Sequence, residues 1–189
     1  MINQFFATKL ATSQTFDDKG NRVTVTHLLA KPLIVKRLKT IDKDGYSALV
    51  CSLSTPRQLE KEIKDPNSNF KPGDEIKFET VFKPGDIVKV SGLSKGRGYA
   101  GVVKRHGFKG VAGQTHGQSD RQRHPGSIGM RTTPGRVWKG HRMAGHFGNV
   151  TKTIRNLKIF SFDPQTNQLI LTGTVPGSRN SLITLTKNA

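Results

Sequence analysis

Cysteine is almost missing from this chain of 189 residues, with Cys51 its single example. One thiol excludes an internal disulfide framework and a thiolate metal cage. It lies in the apolar run SALVCSL, where a small buried hydrophobe is expected rather than a nucleophile. Long apolar runs are missing too, and nothing approaches the roughly 18 residues of a membrane-spanning helix. The first 18 residues hold no basic n-region and reach Asp17 and Asp18 early, which argues against a secretory signal or an Arg-rich transit peptide and makes a cytoplasmic location the expectation. Acidic residues are scarce, with 13 Asp and Glu against 31 Lys and Arg and a formal net charge of +18. That imbalance makes an anionic polymer the default partner, in preference to a small-molecule substrate or a membrane. The hydrophobic fraction of 33% is low for the length, so only part of the chain is expected to build the core.

What the chain has instead is concentrated between residues 95 and 149. Five of the six histidines, most of the glycines and eleven Lys or Arg fall there, with Asp120 as the only acid. Glycine or proline every few residues makes ordering costly, and the few large side chains cannot repay it by burial. Left alone in water the stretch is expected to be disordered, and so long an irregular segment is usually functional or a linker. Lys and Arg release counterions from phosphates, and glycine lets backbone N–H groups approach a sugar-phosphate chain. The stretch therefore reads as a nucleic-acid-threading arm. Its candidate contacts are Lys95, Arg97, Lys104, Arg105, His106, Lys109, His116, Arg121, Arg123, His124, Arg131, Arg136, Trp138, Lys139, His141, Arg142 and His146. Trp138 and Phe147, interleaved with basic residues, offer stacking platforms for bases. An equal reading of Trp138 is an anchor against protein.

The flanking segments use sheet vocabulary. Asp/Gly turns at 17–21 and 42–45 punctuate β-branched stretches, so 23–29, 33–38 and 46–53 are expected strands. Alternation of Val23 and Val25 with Thr24 and Thr26 predicts one buried and one wet face, with His27 a half-exposed sheet residue. Thr55-Pro56 followed by RQLEKEIK predicts a short helix, a small excursion within residues 54–71. The similar phrases FKPGDEIKF and FKPGDIVKV, twelve residues apart, read as two turn-and-strand units on neighbouring strands. Residues 151–162 and 168–175 form a predicted hairpin, and 181–186 a last strand. The expected architecture is mainly β: a discontinuous barrel or sandwich domain from 1–94 and 150–189, with 95–149 inserted.

Two motifs invite enzymatic readings. GRGYAG is a literal GxGxxG, but the fingerprint needs a strand leading through the glycines into a helix. Here Gly107 and Gly110 follow too soon for a helix of useful length. The arm histidines are irregularly spaced and lack cysteine or paired carboxylates, so no metal or cofactor is expected. No Ser-His-Asp constellation suggests itself either, so the chain is not expected to be an enzyme.

The runs GLSKGRGYAGVVKRHGF, THGQSDRQRHPGSIG, TPGRVWKGHRMAGHFGN and LILTGTVPGSRNSLITL together resemble the bacterial-type form of the ribosomal large-subunit protein three family. The resemblance covers most of residues 92–185 in order. The first ninety residues match more loosely, with Ala7 and Ala11 where the family's opening usually has glycines. It implies a closed, translation-protein-type β-barrel whose long extension runs through large-subunit rRNA toward the peptidyl transferase centre. The implied role is that of a structural constituent of the large subunit, supporting its assembly beside neighbouring ribosomal proteins. The extension's tip would be Pro125, Gly126, Ser127, Ile128, Gly129 and Met130. Some members carry a glutamine at the last of these positions that can be methylated; Met130 carries over neither that modification nor the amide's hydrogen bonds. A free nucleic-acid chaperone or regulator using the same arm is the alternative.

Overall fold

The structure, a computed structural model, describes residues 2–17, 19–53, 59–64, 70–111, 113–114, 116–117 and 119–187. The chain divides into two compact units, 1–94 together with 151–189, and 95–150.

The first unit is β-rich, as expected. Strands β1 (Gln4–Phe16) and β2 (Arg22–Leu29) form an antiparallel pair. Their turn is closed by the Asp17 N–H on the Asn21 carbonyl at 2.9 Å and by Gly20 at φ +77°. With β7 (Ile87–Leu93), β10 (Thr151–Asp163), β11 (Gln168–Thr172) and β12 (Leu182–Lys187) they pair in the order β1-β12-β7-β10-β11-β2. The first and last strands of that order also pair with each other, so the ladder returns to its start. Period-two alternation explains which side chains go inside. Val88 and Val90 of β7, Leu169 and Leu171 of β11, and Ile183 and Leu185 of β12 are all fully buried. Each such side chain contributes roughly 1.5–3 kcal/mol by leaving water.

A second sheet of this unit has the order β5-β4-β3-β6, from β3 (Leu33–Lys39), β4 (Ala48–Leu53), β5 (Glu60–Ile63) and β6 (Glu75–Ile76). Leu33, Val35, Leu49, Ile63 and Ile76 belong to the same buried cluster as the side chains of the six-strand ring. Cys51 is in that cluster, and burial pushes its thiol up to about 11. It is an inert core residue, as its apolar surroundings predicted. The β3–β4 connection is a single helical turn, α1 (Ile41–Asp44), ended by Gly45 at φ +77°.

Three expectations need correction. In the described part of the predicted helical excursion, Glu60–Ile63 is a strand paired with β4 (Leu49↔Ile63, Cys51↔Lys61) and not a helix, while residues 54–58 and 65–69 of that excursion lie outside the described residues. Tertiary pairing overrides local helix propensity here. Ile63 is fully buried, and Glu60 and Glu62 reach Lys36 and Lys39 of β3 at 2.9 and 2.8 Å. The two FKPGD phrases do build the same turn. Gly73 and Gly85 have φ of +98° and +93°, and Asp74 and Asp86 accept the N–H groups of Lys71 and Lys83 at 2.8 and 3.0 Å. Their strands, however, are not neighbours, since β6 pairs with β3 and β7 with β10 and β12. Between them α2 (Phe78–Val81) turns the chain and buries Phe78, whose ring stands 5.4 Å from Phe5, 5.2 Å from Phe82 and 4.8 Å from Phe162. On β2, finally, Thr26 is not wet but buried, its hydroxyl donating to the Gly173 carbonyl at 2.7 Å. His27 is half-buried as expected, between the side chains of Ser13 and Gln168.

Candidate nucleic-acid interface

Residues 95–150 are ordered by backbone rather than by a core. At their base the outgoing and returning limbs pair through β8 (Tyr99–Ala100) and β9 (Gly145–His146). The Arg97 N–H donates to the Phe147 carbonyl at 2.8 Å, and the Phe147 N–H to the Gly98 carbonyl at 3.0 Å. A Cβ at Gly148 would lie 2.1 Å from the Lys95 carbonyl oxygen, and this residue has φ +78°. Only glycine fits that approach. The GRGYAG run is thus one side of a limb-to-limb junction.

The run leads into α3 (Val102–His106), one turn stopped by Gly107 at φ +75°. That is too short to hold a pyrophosphate at its N-terminus, in keeping with the rejection of a dinucleotide site. The turn aims two donor side chains at one acceptor. Arg105 Nη1 donates to the Met143 carbonyl at 2.7 Å, and His106 Nε2 lies 3.0 Å from the same oxygen. A carbonyl only accepts, so Nε2 is the protonated ring nitrogen in that bond. Gly145 makes room for the guanidinium, since a Cβ there would stand 2.7 Å from Arg105 Nη1. Arg105 and His106 are accordingly half-buried and hold the returning limb.

The other candidate contacts are exposed. Lys95, Arg97, Lys104 and Lys109 lie on the outgoing limb, and His116, Arg121, Arg123 and His124 on the middle segment. Arg131, Arg136, Trp138, Lys139, His141, Arg142 and His146 lie on the return. Pro125, Gly126, Ser127, Ile128, Gly129 and Met130 form an exposed run in which Gly126 has φ +81° and the Ser127 hydroxyl donates to the Gly129 carbonyl at 3.2 Å. Met130 is 80% exposed. Trp138 is exposed as well, with the Arg136 guanidinium 5.8 Å from its ring centroid. Among the described residues the one ion pair of this unit is Arg121 with Asp120, at 4.0 Å. Tyr99 did not stand out among the basic residues of its run, yet it is more exposed than Trp138 and makes a T-shaped contact with the His146 ring at 6.0 Å between centroids.

Chemically, such a surface can neutralise phosphates and stack on bases, but it assembles no nucleophile with a base. Among the described residues no three His, Cys, Asp or Glu side chains come together as metal ligands. Its exposed basic and aromatic side chains are of the kind that polyanion-binding surfaces use, in a chain whose remainder is a packed β unit.

Comparison with known proteins narrows the class. Residues 60–168 match the family model described as ribosomal protein L3. The chain is 40% identical to the large ribosomal subunit protein uL3 of Herpetosiphon aurantiacus over all of its own length and 98% of the relative's. It is 42% identical to that of Thermobifida fusca, over 93% of this chain and 90% of the other, and 36% identical to that of Salinibacter ruber, over 99% and 100%. The chain belongs to the ribosomal protein L3 family, a family of ribosomal structural proteins and not of enzymes.

Proposed function

We propose that the chain is a structural constituent of the large ribosomal subunit. Residues 95–150 bind large-subunit rRNA, and the run from Pro125 to Met130 reaches toward the peptidyl transferase centre. In this reading the six-strand ring is the closed, translation-protein-type barrel of the family, placed in the cytoplasmic ribosome beside other large-subunit proteins. Binding rests on RNA shape and phosphate geometry, with exposed cations and glycine-rich backbone filling folded RNA. The observation that carries the reading is that fifteen of the seventeen candidate contacts are exposed, in a unit holding one carboxylate.

Cosedimentation tests the role. The chain is expected in stoichiometric amount in salt-washed large subunits, and recovery only in free fractions would sink the ribosomal reading in favour of a free chaperone. The electrostatic part is tested by the affinity of the purified protein for large-subunit rRNA across a salt series. The logarithm of that affinity should fall with log salt by roughly 0.7–0.9 per neutralised phosphate. Replacing both Arg136 and Lys139 by Gln should flatten the slope by about 1.4 to 1.8.

A further inference from the structure

The middle of the 95–150 unit contains a cavity of about 900 Å³, lined by Phe108, Lys109, Val111, Arg121, His124 and Pro125. We infer that it is a receptacle for one nucleotide splayed out of an RNA strand, a subsite that rests on the rRNA-binding reading above and adds a defined ligand to it.

The lining is of two kinds. Phe108, Val111 and Pro125 offer apolar surface of the sort on which an unstacked base packs. Lys109, Arg121 and His124 offer donors for its phosphate and sugar. None of the lining residues is acidic. Asp120 lies 4.0 Å from Arg121 Nε, which leaves the outer N–H groups of the guanidinium fork available to an incoming anion.

Each simpler occupant leaves part of this lining unmatched. A bare phosphate would satisfy the cations but leave the apolar walls wet. An apolar side chain from a protein would cover those walls at the cost of desolvating three basic groups without an anion. A base joined to a phosphate matches both, and the volume lies within the range of pockets that enclose ligands of that size.

The cavity is also preformed. At Gly110, φ is +71° and a Cβ would sit 1.9 Å from the Gln122 carbonyl oxygen, so the segment holding Lys109 and Val111 lies directly on the backbone preceding Arg123. There the His124 N–H closes a turn on the Arg121 carbonyl at 3.2 Å. Backbone contact between the two lining segments spares the ligand part of the ordering cost.

The test uses salt-washed large subunits carrying the full chain. Zero-length ultraviolet crosslinking with mass spectrometry should join one rRNA nucleotide to the segment 108–125. In subunits carrying Phe108→Leu, which keeps bulk but removes the ring, dimethyl sulfate or carbodiimide reactivity of that base should rise about tenfold, as loss of one stack predicts. Phe108→Tyr should restore protection. Should Phe108→Leu fail to enter subunits, Arg121→Gln is read in the same way. Crosslinks scattered over several nucleotides, a crosslink to a neighbouring protein, or unchanged base reactivities in subunits that contain the variant would overturn the subsite while leaving the ribosomal role intact. Absence of the wild-type chain from washed subunits would overturn both.

Discussion

In the β-rich unit, side chains such as Phe5, Leu28, Ile183 and Leu185 are fully buried, whereas among the described residues of 95–150 only Ala100 and Val102 are buried. The treatment of charge differs in the same direction. In the first unit Asp86 is bound to Lys187 at 2.8 Å, and Glu60 and Glu62 to Lys36 and Lys39. In the second, eleven Lys and Arg share one carboxylate, at the long distance of 4.0 Å. One unit thus uses its residues to stabilise itself. The other leaves all its Lys and Arg but Arg105 exposed, where their charge is open to a partner. Stability and binding should therefore be separable by mutation, and the difference can be broken at graded strengths.

The largest effect is expected in the core. Leu185→Ala should lower the unfolding free energy by about 2–5 kcal/mol, the range for deleting a buried leucine. Trp138→Ala, at an exposed position of the second unit, should change it by no more than about 0.5 kcal/mol while weakening rRNA binding. Urea unfolding of the two purified variants checks the contrast, and comparable losses would mean that Trp138 is an anchor of the fold.

A smaller, local effect is expected at Gly148. Alanine there would be strained by positive φ and would meet the Lys95 carbonyl, at a cost on the order of 1–3 kcal/mol. The loss should fall on the junction of the two limbs. Amide exchange should accelerate at Arg97 and Phe147, which donate across it, and remain unchanged along β7 and β12. Acceleration spread evenly over those strands would show that the two units open together.

Much of this contrast was legible in the sequence because it is local. Asp/Gly and Pro-Gly turns fix φ within a few residues, so the 17–21 turn, both FKPGD turns and the 163–167 hairpin followed from the residues themselves. What was not legible depends on distant partners. Glu60–Ile63 has helical composition and becomes a strand because Ile63 finds the core and its glutamates find β3. Strand β1, in FATKLATSQTF, has too few β-branched residues to announce itself and is specified by β2 and β12 on either side. In the basic unit, composition marked Arg105 and His106 as equivalent to their neighbours. That their donors converge on the Met143 carbonyl, 38 and 37 residues away, is a tertiary fact with no signal at either position. Gly145 and Gly148 could have been suspected from their glycine identity alone, but not the atoms they make room for.

The smallest expected effect is on pH dependence, and it tests the charge side of the comparison. The Lys187 ammonium, and after it the Lys83 N–H, hold the Asp86 carboxyl below the usual carboxylate range. The Lys36 and Lys39 hydrogen bonds do the same for Glu60 and Glu62. A carboxylate with a depressed folded-state pKa stabilises the fold at pH values above its unfolded pKa. That contribution is lost as pH falls through the depressed value. These carboxylates are exposed to solvent, so each contribution is small and screened by salt. Asp86→Asn should therefore lower Tm slightly near neutrality at low ionic strength. The gap from wild type should close as pH falls from about 4, where the unfolded-state carboxyl begins to protonate, through the depressed folded-state value. Convergence of the two Tm curves on the acid side, and their approach to each other in high salt at neutral pH, would assign the effect to the Lys187 pair. A gap of constant size across the whole pH range would show that the effect does not come from the carboxylate's charge, and the β unit's paired charges would then matter no more to its stability than the exposed cations of 95–150 matter to that of their own unit.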